Sequence, residues 1–202
     1  YESYHRKEDK IEFDLEYFNK ITKGGLPNKT LNIALAGTGV GKSLFMCHVA
    51  SSALLQNKNV LYITLEMAEE KIAERIDANL LNIPIQDITD LPKPMFESKV
   101  TNLSQKTQGT LIIKEYPTAS AHSGHFRALL NELALKKSFR PDIIFIDYLN
   151  ICASSRYRAN SNVNSYSYIK AIAEELRGLA VEANVPIVSA TQTTRSGYGS
   201  SD

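Results

Sequence analysis

The stretch Ala36-Gly37-Thr38-Gly39-Val40-Gly41-Lys42-Ser43 lies between an apolar run, Leu31-Asn32-Ile33-Ala34-Leu35, and a helix-like segment, Leu44 to Asn57. Strand, glycine-rich loop and helix in that order form the context in which a loop cradles phosphate. Glycines let the backbone curl so that its N–H groups converge on an anion, and the following helix N-terminus adds positive partial charge. Lys42 is placed to reach β- and γ-phosphates, and Ser43 to offer its hydroxyl to Mg²⁺. Gly37, Thr38, Gly39, Val40, Gly41, Lys42, Ser43 and Leu44 are the candidate binding residues for a nucleoside triphosphate, ATP or another. Ala36 departs from the general motif, which has a glycine there. A loop that is merely flexible explains neither Lys42 nor Ser43 at the helix start.

Apolar runs of strand length recur along the chain with helical segments between them, the pattern of a parallel α/β sheet. The predicted strands are 31–35, 60–65, 111–115, 143–147 and 187–190, and the predicted helices are 42–56, 68–81, 122–137 and 166–183. Continuous runs such as Ile143-Ile144-Phe145-Ile146 suit strands covered on both faces. The expected fold is therefore α/β, a mainly parallel central sheet with helices on both sides. Ile169, Ile172, Leu176 and Leu179 recur at helical spacing and read as one buried stripe. The polar segment 89–108, with Pro92 and Pro94, is expected to hold a short helix in an excursion.

With 202 residues, 43% of them hydrophobic, the chain is sized for one domain with a substantial core. Its 23 basic and 22 acidic residues give no global charge signal, so any nucleic-acid contact has to come from a local patch or from several copies pooling modest ones. Cys47 and Cys152 lie in apolar segments without metal-like spacing and read as buried thiols of a reducing compartment, consistent with a cytoplasmic setting. No apolar run approaches membrane-spanning length. The chain lacks an initiator methionine and ends in Ser196-Gly197-Tyr198-Gly199-Ser200-Ser201-Asp202, so the expectation is a piece of a larger protein. It would comprise a polar lead-in over 1–12 and one domain over 13–202, cut short at its C-terminus.

Ligands of open α/β sheets sit at the carboxyl ends of the strands, so the polar residues ending strands carry the chemistry. Asp147 follows four apolar residues, the usual form of a second ATPase motif whose carboxylate holds Mg²⁺ through its water shell. The alternative is an aspartate that caps the following turn. Glu66, on a strand taken to lie beside the loop-bearing strand, would orient and activate the attacking water; alternatively it charges the next helix N-terminus, as Glu69 and Glu70 do. Gln192 would donate to a γ-phosphate oxygen, or be an ordinary loop glutamine. Arg156, Arg158, Asn160 and Arg195 lie in polar loops past strand ends and are candidate nucleic-acid contacts, against the alternative of solvated surface. Tyr157, Tyr166 and Tyr168 would stack on bases or pack on their own domain. His5, His48, His122 and His125 read as structural or surface.

Thr64-Leu65-Glu66-Met67 with Ile72 and Arg75, then Ile146-Asp147-Tyr148-Leu149-Asn150, then Val185-Pro186-Ile187-Val188 through Gln192 and Arg195, resemble the motor of DnaB-type replicative helicases. Their order and spacing match from about Ile11 to Ser196, and Phe18 to Leu26 is similar to that family's entry segment. The wording of the motifs is most similar to the T-even phage branch. The resemblance implies a RecA-like P-loop NTPase working as a homo-hexameric ring around single-stranded DNA at a fork. It further implies catalytic Glu66 and Lys42, Ser43 and Asp147 at Mg²⁺, and Gln192 coupling γ-phosphate to DNA loops. A separate primase and a helicase loader would be partners, in the host cytoplasm for a phage protein. The family's N-terminal domain and its trans-acting arginine fall outside this chain, so the chain alone is expected to be a weak ATPase and a poor helicase; robust unwinding by it would refute that expectation. Two other readings stay open on the residues alone, a recombinase-type filament protein and a regulatory or clamp-loading nucleotide switch.

Overall fold

The computed structural model describes residues 10–11, 25–36, 41–158 and 162–192. Two short strands, β1 (Lys10–Ile11) and β2 (Leu26–Pro27), pair antiparallel. The chain then runs β3 (Leu31–Ala36), α1 (Gly41–Leu55), β4 (Val60–Thr64), α2 (Glu69–Leu81), α3 (Ile85–Ile88), α4 (Lys93–Lys106) and β5 (Leu111–Glu115). It continues with α5 (Ser123–Lys137), β6 (Ile143–Asp147), a 3₁₀ turn (Leu149–Ile151), α6 (Ser165–Ala183) and β7 (Ile187–Gln192). Strands β3 to β7 form a five-stranded sheet in the order β3-β7-β6-β4-β5, parallel throughout.

Both sheet faces are covered, which is why the central strands run apolar on both faces until their carboxyl ends, as in Ile143-Ile144-Phe145-Ile146. Side chains alternate across the pleat. Val60, Tyr62, Ile143 and Phe145 join the layer under α1 and α2, while Leu61, Ile63, Ile144 and Ile146 join the layer under α5 and α6. Ile172, Leu176 and Leu179 of α6 are buried in that second layer, as their spacing predicts, while Ile169, the first of the stripe, is only partly buried against it. Asn164 caps the start of α6 by accepting from the Ser167 N–H at 2.8 Å, and Asn184 ends it in the left-handed region at φ 55°.

Two expectations need correction. The excursion over 89–108 holds not a short helix but the 14-residue α4, with the single-turn α3 just before it. Pro94 at the first turn of α4 lacks an N–H that would be unsatisfied there in any case, so it starts the helix instead of breaking it. The strand leading to Glu66, β4, does not lie beside β3; β7 and β6 come between them.

The edge of the sheet where the strands begin is laced by side chains. The Asp142 carboxylate accepts from the Asn59 N–H at 2.7 Å, and the side-chain oxygen of Asn59 accepts from the Thr110 N–H at 3.2 Å. Gly109 passes so close to α1 that a Cβ would meet the Leu54 and Lys58 carbonyl oxygens at 2.9 and 2.6 Å. The opposite edge, where Ala36, Thr64, Glu115, Asp147 and Gln192 end their strands, is left for polar chemistry.

Candidate nucleotide and metal site

The first helix carries Lys42 and Ser43 in its opening turn and packs against β3, β4, β6 and β7. Lying under the sheet, it bridges the two strands that separate β3 from β4. Lys42 thereby reaches Glu66, its Nζ donating to Oε2 at 2.9 Å. Glu66 stands two residues past the end of β4, and the Leu65 N–H bonds the Asp147 carbonyl at 3.0 Å, extending the ladder and holding the turn. Lys42 is 4% exposed, whereas the Glu66 side chain is 49% exposed and open to solvent. The Lys42 ammonium also lies 4.2 Å from the centroid of the Tyr148 ring, a cation–π contact.

The pleat places Asp147 on the same face as Ile143 and Phe145, the face covered by the first helix. Fully buried, Asp147 accepts at Oδ2 from the Ser43 hydroxyl at 2.8 Å and from the Tyr62 hydroxyl at 2.9 Å. Its Oδ1 is buried and has no hydrogen-bond partner among the described residues. A buried carboxylate with one oxygen saturated and the other an open acceptor beside the Ser43 hydroxyl suits a hard, hydrated cation. The residues present therefore fit Mg²⁺.

Burial drives the Tyr62 hydroxyl well above the ordinary tyrosine range, with the Asp147 charge adding to it. Burial pushes the Cys47 thiol, 3.9 Å from that hydroxyl, up to about 11. Both keep their protons, the thiol donating to the Tyr62 hydroxyl and the hydroxyl to Asp147. Burial also raises Tyr148; the Glu66 charge reinforces this and Lys42 opposes it.

Of the other expected site residues, Gly41 and Leu44 are at the helix start, with Leu44 half exposed. Gly37, Thr38, Gly39, Val40, Asn160 and Arg195 lie outside the described residues, as does the side chain of Gln192. The backbone of Gln192 pairs in register with Ala36, so it ends its strand directly beside the root of the glycine-rich loop. Arg156 lies in the loop before α6 and pairs with Glu174 at 2.7 Å. Arg158, in the same loop, is exposed. Glu175 accepts from the Ser155 N–H at 2.8 Å and from the Ser155 hydroxyl. Tyr157 and Tyr166 are exposed, while the Tyr168 hydroxyl accepts from the Ser154 N–H at 3.1 Å and so packs on its own domain.

Sequence reasoning missed Tyr62 and Tyr148, read only as strand and motif filler. A hydroxyl inside the otherwise apolar run Val60-Leu61-Tyr62-Ile63 was the available signal, because a buried tyrosine needs a partner. It also assigned Glu69 only to the helix dipole. Glu69 and Glu115 in fact accept from each other's backbone N–H at 3.1 and 3.2 Å, tying the start of α2 to the end of β5. His122 and His125 are structural as expected: His122 Nδ1 accepts from the Gly124 N–H and His125 Nδ1 from the His122 N–H, together capping α5.

Comparison with known proteins shows the family and the fold. The chain is 49% identical over 203 aligned residues to the DnaB-like replicative helicase of Enterobacteria phage T4, covering 99% of this chain and 42% of that protein. It thus spans less than half the length of that relative. The solved structure of a DnaB-like replicative helicase, described with its interactions with primase, superposes with a TM-score of 0.74 at 19% identity, over 100% of this chain and 47% of that one. A second solved structure, described as an ATPase domain, gives a TM-score of 0.70 at 18% identity, over 97% of this chain and 69% of that one. These two likenesses establish a shared fold. The family model for the DnaB-like helicase C-terminal domain matches residues 11–202, and the chain belongs to that family.

Proposed function

We propose that the chain is the ATP-driven motor of a replicative DNA helicase, which hydrolyses nucleoside triphosphate to move along single-stranded DNA and open the duplex at a fork. The convergence of Lys42, Ser43, Glu66 and Asp147, drawn from three separated segments, carries this reading. Family membership and the 49% identity to a phage replicative helicase favour it over the recombinase alternative.

In this reading residues 37–44 cradle the phosphates and Lys42 meets the β- and γ-oxygens. Mg²⁺, held by the Ser43 hydroxyl and through water by Asp147, would supply charge neutralisation at those oxygens. An incoming phosphate competes with Glu66 for Lys42, since the ammonium now bridges 2.9 Å to the carboxylate. Glu66, released and solvent-facing, orients the attacking water and accepts its proton. Gln192, beside Ala36 at the root of the loop, reports the γ-phosphate to the segment after it. Arg156, Arg158, Asn160 and Arg195 contact the DNA backbone. Six copies around a channel would multiply these few cations into a field strong enough to hold single-stranded DNA.

A homo-hexamer, a separate primase and a loader complete the proposal. The primase is supported by the related helicase whose interactions with primase were solved. Among the described residues no helix is long and apolar enough to cross a membrane. The proposed location is the cytoplasm, that of the host for a phage-encoded protein. Strand displacement on a forked duplex by the full protein, with Glu66→Gln alongside, tests the function. ATP-dependent displacement abolished by the substitution, with ATP binding retained, is the expected outcome. Tight ATP-dependent DNA binding without displacement would return the recombinase reading.

A further inference from the structure

We infer that Tyr62 is a positioning residue for metal-dependent nucleotide binding: its hydroxyl locks the Asp147 carboxylate so that one oxygen stays open toward the cation. This rests on the assignment of Ser43 and Asp147 to Mg²⁺ made above. Tyr62 lies mid-strand in β4 and is itself fully buried. Its ring stacks on Phe145 with centroids 5.6 Å apart and planes 13° apart, so the hydroxyl is held by a rigid neighbour on the adjoining strand. The strands set the height: Tyr62 pairs with Phe145 and Thr64 with Asp147, which puts the carboxylate one step along the same face from the ring it stacks on. From there the tyrosine side chain is long enough to donate to Oδ2 at 2.9 Å.

The consequence is a division between the two carboxylate oxygens. Ser43 alone, donating at 2.8 Å, would leave the carboxylate free to rotate about its terminal bond and present either oxygen. A second donor on the same oxygen, from the neighbouring strand, fixes the plane. Oδ2 is then saturated by two hydroxyls and Oδ1 is left without a partner among the described residues. An unpaired buried carboxylate oxygen is costly in the absence of a cation and rewarding in its presence. Tyr62 thus raises the gain that Mg²⁺ brings to nucleotide binding without touching metal or nucleotide. Cys47, whose thiol donates to the Tyr62 hydroxyl oxygen at 3.9 Å, leaves that hydroxyl's own proton for Asp147.

The test is a measure of metal coupling, not of turnover. The dissociation constant of a fluorescent ADP analogue is measured on the full protein with Mg²⁺ and with excess chelator, and the ratio of the two values is taken as the coupling. Tyr62→Phe keeps ring, volume and stacking. It should leave binding in chelator unchanged and shrink the coupling about tenfold, the scale of losing a group that orients a metal-binding side chain. Tyr62→Ile, with different packing but equally without a hydroxyl, should show the same loss, so the measurement stands if only one variant folds. In an Asp147→Asn background Tyr62→Phe should cause no further loss, because its route runs through that carboxylate. Ile63→Val, on the same strand but in the other layer, should lower the urea midpoint while preserving the coupling within about threefold. Native coupling retained in a folded hydroxyl-free variant, or a loss equal with and without Mg²⁺, overturns the inference while leaving the metal assignment in place. Absence of coupling in the native protein overturns the metal assignment itself.

Discussion

Replacing Asp147 by asparagine separates what this side chain does for the fold from what it does for chemistry. The carboxylate is 0% exposed, with the Ser43 and Tyr62 hydroxyls at 2.8 and 2.9 Å from Oδ2. An amide carbonyl in the Oδ2 position keeps both bonds as neutral ones, each weaker by about 1 kcal/mol. The amide nitrogen takes the place of Oδ1 and stays unpartnered, at about 1–3 kcal/mol. Against these losses, the desolvation of a buried charge, several kcal/mol, is no longer incurred. The sum lies within about 2 kcal/mol of the native chain, and a chain of this length then moves its Tm by no more than about 8 °C. Asp147→Ala gains the same relief but strands both hydroxyls and opens a cavity, leaving it about 1–3 kcal/mol less stable than the asparagine variant. Urea denaturation of both variants, beside Mg²⁺-dependent ATP hydrolysis, reads the two effects separately. Hydrolysis should fall at least about 100-fold in each while the alanine variant is the less stable of the two. An asparagine variant as unstable as the alanine one, or one hydrolysing at the native rate, would refute the reasoning.

Other expectations follow from the loops and caps. Arg156→Gln should weaken single-stranded DNA binding and reduce the slope of log affinity against log salt by about 0.7, while Glu174→Gln, which frees Arg156 from its 2.7 Å pair, should tighten binding; unchanged affinity in both would remove Arg156 from the DNA surface. Burial, with His125 adding to it and Glu175 opposing, holds His122 below the ordinary histidine value of 6.5. Its cap is therefore intact above pH 6.5, and stability should be lost as pH falls through and below that value, because protonated Nδ1 can no longer accept from Gly124. His122→Asn, a cap that does not titrate, should flatten that fall in urea midpoints taken at about pH 7.5 and about pH 5. Phe126→Ala, at a fully buried ring edge-on to Tyr116, should cost about 3–5 kcal/mol by the same measurement, and a loss below about 1 kcal/mol would show that this layer repacks.

The parallel sheet was legible because strands covered on both sides must be apolar throughout, and Ile143-Ile144-Phe145-Ile146 can be little else. As candidates, Lys42 and Ser43 were legible from the glycine-rich loop that opens a helix, and Glu66 and Asp147 because each follows an apolar strand, where chemistry gathers in such sheets. Strand order was not. Nothing local in Val60–Thr64 says that Ile143–Asp147 and Ile187–Gln192 intervene between it and Leu31–Ala36; that follows from helix packing across the whole sheet. Tyr62 was illegible for a related reason: its role depends on a cross-strand register with Phe145 and Asp147, and register is a property of pairs. The extent of the excursion was misjudged because Pro94 reads as a breaker until its place in the first turn is known. The reciprocal bonds of Glu69 and Glu115 join residues 46 apart in sequence, beyond any local pattern.

The lacing at the edge where the strands begin has an evolutionary reach. Asp142, Asn59 and Thr110 join three neighbouring strand starts through backbone donors, and none of them lies among the groups that would meet nucleotide. These bonds are independent of the site, so a change of nucleotide, rate or loop sequence at the reactive rim leaves this lacing in place. The cost falls on the quiet rim, where Gly109 tolerates no side chain against the Leu54 and Lys58 carbonyls. A lineage diversifying this domain would therefore be held to glycine at position 109 whatever chemistry it ran at the other rim.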